Sequence, residues 1–313
     1  MNLLQLVNAS MQECGASGSA LTTTANQTGE AARFVSWVQQ AWIDIQSLHQ
    51  DWGFLRTSCA FPLVGGQDYY PVTQTNATNF GQWDRDTFRN YANPEVSFTI
   101  GSPGLVQVQG QPHGLAVGDT ATFFTDGTLP TGLVAGTPYY VQSVVDADNV
   151  TVSATKGGAA INFTGTSSGT QTMTSSNVLT FAGLRSEIFM DEIGYDRWRD
   201  LYLYGNLRFT QTRPMEIAVN PTNKALCPGP IAASGWTVVG DYFQAPIPLV
   251  NDTDIPGVDT QYQYVIVYKA MERYARYEED DNLLMIAQRE KGMLLQRMRR
   301  NYLPKMRMGS ALA

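Results

Sequence analysis

Residues Pro248 to Pro304 read P-L-V-N-D-T-D-I-P-G-V-D-T-Q-Y-Q-Y-V-I-V-Y-K-A-M-E-R-Y-A-R-Y-E-E-D-D-N-L-L-M-I-A-Q-R-E-K-G-M-L-L-Q-R-M-R-R-N-Y-L-P. In the first half of this stretch, apolar side chains recur at steps of three and four, as on one face of an amphipathic helix. They are Tyr264, Val267, Tyr268, Met271, Tyr274 and Ala275. The second half repeats the pattern with Leu283, Leu284, Ala287, Leu294, Leu295, Met298 and Tyr302. The pattern predicts a hairpin of two helices that follows an irregular, carboxylate-bearing turn.

Acidic residues separate the two predicted helices: Glu278, Glu279, Asp280 and Asp281. Carboxylates accept hydrogen bonds from the free amides of a first helical turn and suit the positive end of its dipole, which predicts a cap on the second helix. A solvated acidic corner explains the same residues, and the two interpretations are compatible.

The composition is that of a soluble globular protein, with 313 residues of which 43% are hydrophobic. The net charge is −7, so phosphate backbones should repel the molecule, which disfavours sequence-specific nucleic-acid binding. The opening residues M-N-L-L-Q-L-V-N-A-S lack the features of a secretory signal, and no apolar run approaches the roughly 18 residues of a membrane helix. We therefore expect a protein that is made in a cytosol and contacts no membrane. The cysteines are far apart and odd in number, which predicts reduced thiols at Cys14, Cys59 and Cys227.

The N-terminal part combines helical and strand-like patterns. Leu3 to Glu13 predicts a short helix, and a second helix is predicted from Thr28 to Trp52, where Gly53 ends it. The apolar stripe of the second helix should pack against the C-terminal hairpin and comprises Val35, Val38, Trp42, Ile45 and Trp52. Ser58 to Leu63 and Asp68 to Val72 flank a Gly-Gly turn and predict a β-hairpin.

From about Pro94 to Ser175 the chain is rich in Gly, Thr, Val and Ser and poor in charge. Short strand-like runs alternate with turn signals, as in a small sandwich or barrel. The runs are Val96 to Ile100, Leu105 to Gln109, Thr120 to Thr125, Tyr139 to Val145, Val150 to Ala154, Ala160 to Thr164 and Thr170 to Thr174. We expect an inserted all-β domain at residues 94–176.

The surrounding fold resumes at Asn177, where strand-like and helical patterns return. Met215 to Val219, Lys224 to Leu226 and Trp236 to Phe243 alternate like a β-meander. Insertion of the β domain into a surface loop is the economical explanation. The predicted fold class is therefore α+β, in which a helical bundle or hairpin core with small β elements at residues 1–93 and 177–313 carries the inserted all-β domain.

The sequence shows no convergent set of acids, bases, nucleophiles or ligands of the kind an enzyme needs. His49 and His113 are the only histidines, and isolated histidines favour structural roles. Asp252-Thr253-Asp254 has oxygen donors that suit a hard cation, but the following Ile-Pro-Gly is typical of a turn. We expect no enzymatic activity, no cofactor and no metal. A depolymerising hydrolase would need two carboxylates in one cleft, and sequence spacing does not exclude that.

Basic residues cluster at the C-terminal end of this acidic chain: Arg289, Lys291, Arg297, Arg299, Arg300, Lys305 and Arg307. Three interpretations remain open: a solvated helix face, nucleic-acid contact, which the overall charge disfavours, and docking onto an acidic protein surface. The flexible thioethers of Met293, Met298, Met306 and Met308 favour docking, although Met293 and Met298 fit a core equally well.

Five segments, taken in order, carry a family resemblance: W-V-Q-Q-A-W-I-D-I-Q-S-L-H-Q-D-W-G-F-L-R (Trp37 to Arg56), I-G-Y-D-R-W-R-D-L-Y-L-Y-G (Ile193 to Gly205), R-P-M-E-I-A-V (Arg213 to Val219), D-Y-F-Q-A-P-I-P-L (Asp241 to Leu249) and Pro248 to Pro304. Together they resemble the head-to-tail adaptor (connector) proteins of tailed bacteriophages. The resemblance implies a non-enzymatic virion protein, made in the host cytoplasm and placed at the neck between head and tail.

The same resemblance implies the partners. Copies would form a homo-oligomeric ring, a dodecamer, beneath the dodecameric portal protein. The ring would extend the DNA channel without specific DNA binding, serve genome ejection and join the next tail component, a nozzle or terminator protein. Family members grip the portal with a C-terminal extension, which corresponds to residues 301–313. The implied portal-docking residues are Arg299, Arg300, Tyr302, Leu303, Lys305, Met306, Arg307, Met308 and Leu312.

The insert is a departure from a plain adaptor. Its segment G-L-A-V-G-D-T-A-T-F-F-T-D-G-T-L-P-T-G-L-V-A-G-T-P-Y-Y-V (Gly114 to Val141) resembles a small β-module of various phage structural proteins. An alternative function is therefore receptor or carbohydrate binding by the virion through this β-insert.

Overall fold

The computed structural model describes residues 1–16, 19–109, 112–175, 187–233 and 235–303. Its α-helices are α1 (Leu3–Glu13), α2 (Gly29–Ser47), α3 (Tyr195–Trp198), α4 (Tyr264–Glu278) and α5 (Asp281–Tyr302). The strands are β1 (Arg56–Pro62), β2 (Phe80–Ala92), β3 (Val96–Thr99), β4 (Leu105–Val108), β5 (Thr120–Thr125), β6 (Pro138–Val144), β7 (Asn149–Ser153), β8 (Gln171–Ser175), β9 (Ile188–Phe189), β10 (Asp191–Glu192), β11 (Gln211–Thr212), β12 (Glu216–Val219), β13 (Leu226–Gly229), β14 (Ile231–Ala232) and β15 (Trp236–Gln244). None of the described helices has the length and apolar character needed to cross a lipid bilayer.

The chain divides into two compact units. The helical unit comprises Met1–Thr57, Thr78–Trp83 and Tyr242–Ala313, and the β unit comprises Ser58–Ala77 and Asp84–Asp241. The predicted boundaries of an inserted domain at 94–176, and of a docking tail at 301–313, stay predictions.

The helical unit has an apolar core shared by α1, α2, α4 and α5. The apolar periodicity of α2 places Val38, Trp42 and Ile45 in that core with almost no exposed surface. The helix ends earlier than predicted, at Ser47. Trp52 is nevertheless fully buried in the same apolar core, and its indole N–H donates to the Ile45 carbonyl at 3.0 Å.

The predicted helical hairpin is present as α4 and α5. Glu279 adopts the left-handed conformation (φ 56°, ψ 32°) that ends α4. The Asp280 carboxylate then accepts a hydrogen bond from the Leu283 amide at 3.0 Å and caps α5, as the sequence predicts. The other acidic residues of the turn, Glu278, Glu279 and Asp281, are exposed.

The β unit contains a six-stranded antiparallel sheet in the order β3-β4-β7-β6-β5-β8. The Met173 amide of β8 donates to the Pro94 carbonyl at 3.0 Å, and Glu95 bridges Thr172, so the sheet curls until its two outer strands meet. One face of its strands is a separate apolar core that includes Val106, Ala121, Phe123, Val150, Val152 and Met173.

The other sheets have the orders β1-β15-β2-β9, β10-β12-β13 and β11-β14. The predicted hairpin at residues 58–72 is wrong. Only its first run is a strand, β1, whereas Tyr70 exchanges backbone hydrogen bonds with Leu226 at 2.8 and 2.9 Å. A further small core, around Trp198, Tyr202 and Cys227, lies under α3, β12 and β13.

The predicted fold class is also wrong. In the described part of the chain, fifteen strands form four sheets, and no helical bundle is the core of the protein. The alternating segments interpreted as small supports of a helical scaffold instead build the larger, β-rich unit, which has apolar cores of its own. Helices α1, α2, α4 and α5 form one of several separate apolar cores.

Candidate docking surface

The last turn of α5 is anchored by Tyr302. Its hydroxyl accepts a hydrogen bond from the Asp259 amide at 3.0 Å, and its ring meets Phe54 and Tyr262 nearly edge-on, with centroids 5.2 and 5.8 Å apart. Burial raises the pKa of the phenol to about 12. A Cβ on Gly53 would lie 3.1 Å from the Tyr302 carbonyl oxygen, so glycine permits this close approach. The end of α5 therefore has a defined place on two loops of the helical unit.

The chain leaves α5 at Leu303. The Leu303 amide donates to the Arg299 carbonyl at 3.1 Å, and the residue itself is extended (φ −86°, ψ 148°), the conformation favoured before a proline. Its half-buried side chain packs against the helical core. Arg299 and Arg300 are exposed, next to the fully buried Met298.

The predicted docking residues thus divide into three groups. Arg299 and Arg300 are accessible to a partner, whereas Tyr302 and Leu303 contact the helical unit. The remaining predicted residues lie outside the described part of the chain: Lys305, Met306, Arg307, Met308 and Leu312. The docking role of all three groups stays a prediction.

A buried carboxylate holds α5 against α4. The side chain of Glu272 is 5% exposed and lies 2.6 Å from Nζ of Lys291 on α5, 2.6 Å from Arg276 and 3.4 Å from Lys269. Burial alone would raise the pKa of Glu272, but the hydrogen bond and charge of Lys291, with the charges of Lys269 and Arg276, outweigh burial and lower the pKa. Lys291, a member of the predicted basic cluster, therefore serves the packing of the hairpin.

A second carboxylate links α2 to α4. Asp44 accepts a hydrogen bond from Arg273 at 2.7 Å and lies 3.9 Å from Nζ of Lys269. Burial raises the pKa of Asp44, but hydrogen bonds from Gln40 and Arg273 and the two nearby cations leave the pKa below its ordinary value. Both carboxylates are therefore charged at neutral pH and fix the position of α4 between its neighbours.

The outward side of α5 carries exposed side chains, most of them apolar or basic, which we call the outer stripe: Met285, Arg289, Met293, Gln296, Arg297 and Arg300. Met285 and Met293 are 63% and 45% exposed, and the adjacent Ile286 is 48% exposed. Of the two methionines that fitted either a core or a docking face, Met298 is buried and Met293 is not. Sequence reasoning missed Met285 and Ile286, although apolar residues on more than one face of α5 were a visible signal.

The carboxylates of the predicted Asp252-Thr253-Asp254 turn stabilise nearby backbone segments through hydrogen bonds. Asp252 accepts hydrogen bonds from the Thr24 hydroxyl and, at 2.7 Å, from the Thr24 amide. Asp254 accepts from the Val250 and Asn251 amides at 2.7 and 2.8 Å. These bonds lower the pKa of both carboxyls. Among the described residues, no group of His, Cys, Asp and Glu side chains is arranged to hold a metal ion.

The two histidines have different surroundings. His113 is buried; its Nδ1 accepts from the Leu115 amide at 2.8 Å, and its Nε2 lies 3.0 Å from the Asp146 carbonyl oxygen. His49 packs edge-on against Trp52, with ring centroids 5.0 Å apart.

The β unit contains a cleft of about 1060 Å³. Its walls carry Ser and Thr hydroxyls together with Phe61 and Phe124. Arg89, which also lines the cleft, pairs with Glu187 at 3.5 Å. Burial raises the pKa of the Cys59 thiol to about 12, so the sulfur on this wall is protonated at neutral pH and is a poor nucleophile.

Comparison with known proteins gives the family. The sequence profile described as SU10 adaptor protein matches residues 132–311, which is more than half of the chain. The match begins before β6 and continues through both helices of the C-terminal hairpin. No curated protein matches the chain significantly. The chain therefore belongs to the SU10 adaptor protein family, a family of phage head-to-tail adaptors.

Proposed function

We propose that this adaptor docks onto the dodecameric portal protein through the segment that follows α5, and that its copies form a dodecameric ring beneath the portal. The ring extends the DNA channel and joins the next tail component, a nozzle or terminator protein. As a member of a phage adaptor family, the chain has a structural role in the virion and associates with other phage head and tail proteins.

The carrying observation is the anchored end of α5. Tyr302 holds the last turn at a fixed place, while Arg299 and Arg300 face solvent where the chain departs. The residues that follow read K-M-R-M-G-S-A-L-A and add two cations, Lys305 and Arg307. The same residues include Met306 and Met308, whose flexible thioethers adapt to a partner surface. The positive charge of this segment, on a chain of net charge −7, favours an acidic site on the portal.

The overall charge also supports the channel role. A chain of net charge −7 offers few cations to hold a passing duplex, so DNA can slide past it. Fluorescence anisotropy with duplex DNA at physiological salt tests this proposal. We expect no measurable binding, and tight binding would contradict a non-adhesive channel.

The proposed role is non-enzymatic. Phage structural adaptors are typically without catalytic activity. The protonated Cys59 thiol and the paired Arg89 on the wall of the β-unit cleft support the same view.

Truncation after Leu303 tests the docking proposal. The full chain and the truncated chain are mixed with the portal protein of the same virus, and complexes are analysed by sedimentation and negative-stain microscopy. We expect the full chain to form rings that cap the portal and the truncated chain to remain unbound, with an unchanged unfolding midpoint. The double variant Lys156→Glu/Arg197→Glu, which alters two exposed cations of the β unit, is the matched control.

Two results would contradict the proposal. Unchanged portal binding by the truncated chain would show that the segment is not the docking element. Binding of the full chain as single, separate copies would argue against the ring.

A further inference from the structure

The outer stripe of α5 is a helix face without a partner in the described chain. Met285, Arg289, Met293, Gln296 and Arg300 follow one another at steps of four, four, three and four, so they share one side of the helix. At a rise of about 1.5 Å per residue the stripe is roughly 22 Å long. The opposite side of α5 packs on the hairpin through Ala287, Lys291 and Met298.

The composition of the stripe is that of an interface. Methionine and arginine are both enriched where proteins meet, because thioethers adapt to a partner surface and guanidinium groups pair in several geometries. Two methionines about half exposed or more, flanked by Ile286, make an apolar centre, and the arginines lie beside it. Such a stripe predicts a partner with an apolar patch and negative charge.

The chain itself carries the complementary charge, at the other end of α5. Glu278, Glu279 and Asp281 are exposed, and no ion pair joins any of them to another described residue. Arg297, Arg299 and Arg300 likewise have no ion-pair partner in the described ranges. About 28 Å of helix separates Asp281 from Arg300, so one copy cannot satisfy both groups by itself.

We propose that the outer stripe of α5 binds a second copy of this chain, with the basic end of the stripe against the exposed acidic corner at Glu278, Glu279 and Asp281 of that copy. The contact joins two different patches and is therefore head-to-tail, so it repeats from copy to copy and closes into a ring when the rotation permits. The inference rests on the proposed ring and identifies the surface that builds it.

Charge reversal tests the pairing. The base-reversed variant is Arg289→Glu/Arg297→Glu, which leaves the predicted portal-docking residues untouched. The acid-reversed variant is Glu278→Lys/Asp281→Lys, which keeps the Asp280 cap. Each variant alone places like charges against each other, so self-association should weaken on the order of tenfold or more. An equimolar mixture of the two variants restores opposite charges at every contact and should associate again.

The measurement is sedimentation velocity of the full-length chain, alone and with portal protein, at low and high salt. We expect oligomers of the wild-type chain that weaken as salt rises, because the charges are exposed. The Lys156→Glu/Arg197→Glu variant should assemble like the wild type. Recovery in the mixture excludes misfolding as the cause of the loss in each variant. The variant Met285→Ser/Met293→Ser should also weaken association, since it removes the apolar centre.

Four results would overturn the inference: a wild-type chain that stays monomeric in all conditions, reversed variants that assemble normally, a mixture that does not recover, or assembly that stops at a two-fold dimer. The truncation after Leu303 distinguishes this inference from the docking proposal. If the truncated chain fails to bind portal while the reversed variants self-associate normally, docking stands and the outer stripe is not the ring contact. If the reversed variants bind portal only as single copies, the outer stripe is the ring contact.

Discussion

Replacing Lys291 with methionine should destabilise the helical unit by about 2 kcal/mol, because a charge-assisted hydrogen bond to a buried carboxylate is lost. Methionine keeps nearly the same side-chain length. Lys291 is 17% exposed and its Nζ lies 2.6 Å from the Glu272 carboxylate, which is 5% exposed. Arg276 and Lys269 remain at 2.6 and 3.4 Å. The carboxylate is therefore not left alone, and the cost stays below the roughly 3–5 kcal/mol of an orphaned buried charge.

Replacing Glu272 with glutamine should cost more, about 3 kcal/mol, since it leaves three cations around a neutral amide. In a double variant with Lys291→Met, part of this repulsion disappears. The two costs should then fall short of additivity by about 1–2 kcal/mol, the signature of a direct interaction.

The assay is urea unfolding followed by far-ultraviolet circular dichroism. Arg289→Met is the matched control, because Arg289 lies on the same helix, is 73% exposed and, among the described residues, forms an ion pair with Glu290 alone, at 2.9 Å. Its loss should cost no more than about 0.5 kcal/mol. A Lys291→Met variant as stable as this control, or single costs that add without coupling, would refute the reasoning.

Further outcomes follow from the same structure. Because the pKa of Glu272 is lower in the folded chain than its ordinary value of 4.5, its stabilisation is complete above that value and is lost as pH falls through the folded-state pKa. Glu272→Gln should therefore lose less stability than the wild type on acidification, as measured by urea unfolding. Tyr302→Phe should cost about 1 kcal/mol in the same assay, since the Asp259 amide loses its acceptor; no change would contradict the anchoring role. Gly240→Ala should lower the thermal midpoint, at a cost of about 1–3 kcal/mol, because a Cβ there would lie 2.3 Å from the Phe88 ring.

The helical hairpin could be predicted because its signals are local. Apolar spacing in α4 and α5 is set by the helical repeat, and the Asp280 cap needs only the amide of Leu283, three residues away. The end of α2 was harder to place. Trp52 continues the apolar spacing of α2 although it lies beyond the end of the helix, and its indole N–H bonds to the Ile45 carbonyl. The spacing alone would fit one more helical turn equally well.

The β unit was misjudged because its partners are remote in sequence. Tyr70 pairs with Leu226, and β2 pairs with β9, which begins at Ile188. β2 also lacks clean alternation, since it contains Arg85 and Arg89, which pair with Glu192 and Glu187, two residues remote in sequence. A local pattern can predict a single strand. It does not predict how many strands combine into one unit, because that depends on pairings between segments that are remote in sequence.

The docking surface shows the same division. The sequence shows that basic residues cluster at the C-terminal end. It does not show the ion pair of Lys291 with Glu272, which depends on how α5 packs against α4. The contacts of Tyr302 with Phe54 and Asp259 join separate parts of the chain, so a local sequence pattern does not show them. The docking role of Tyr302 stays a prediction. The exposed fraction of each side chain distinguishes residues that a partner can contact from residues that pack inside the helical unit.

The anchoring of Tyr302 also determines how a mechanical load would travel. Tension on the segment after Leu303 reaches the aromatic ring before it reaches the rest of α5. The Tyr302 side chain contacts the loop at Phe54 and the loop from Asp259 to Tyr262, so a force on Tyr302 acts on both loops. Unwinding α5 from its end would require these contacts to break as well, so they oppose unravelling of the last turn.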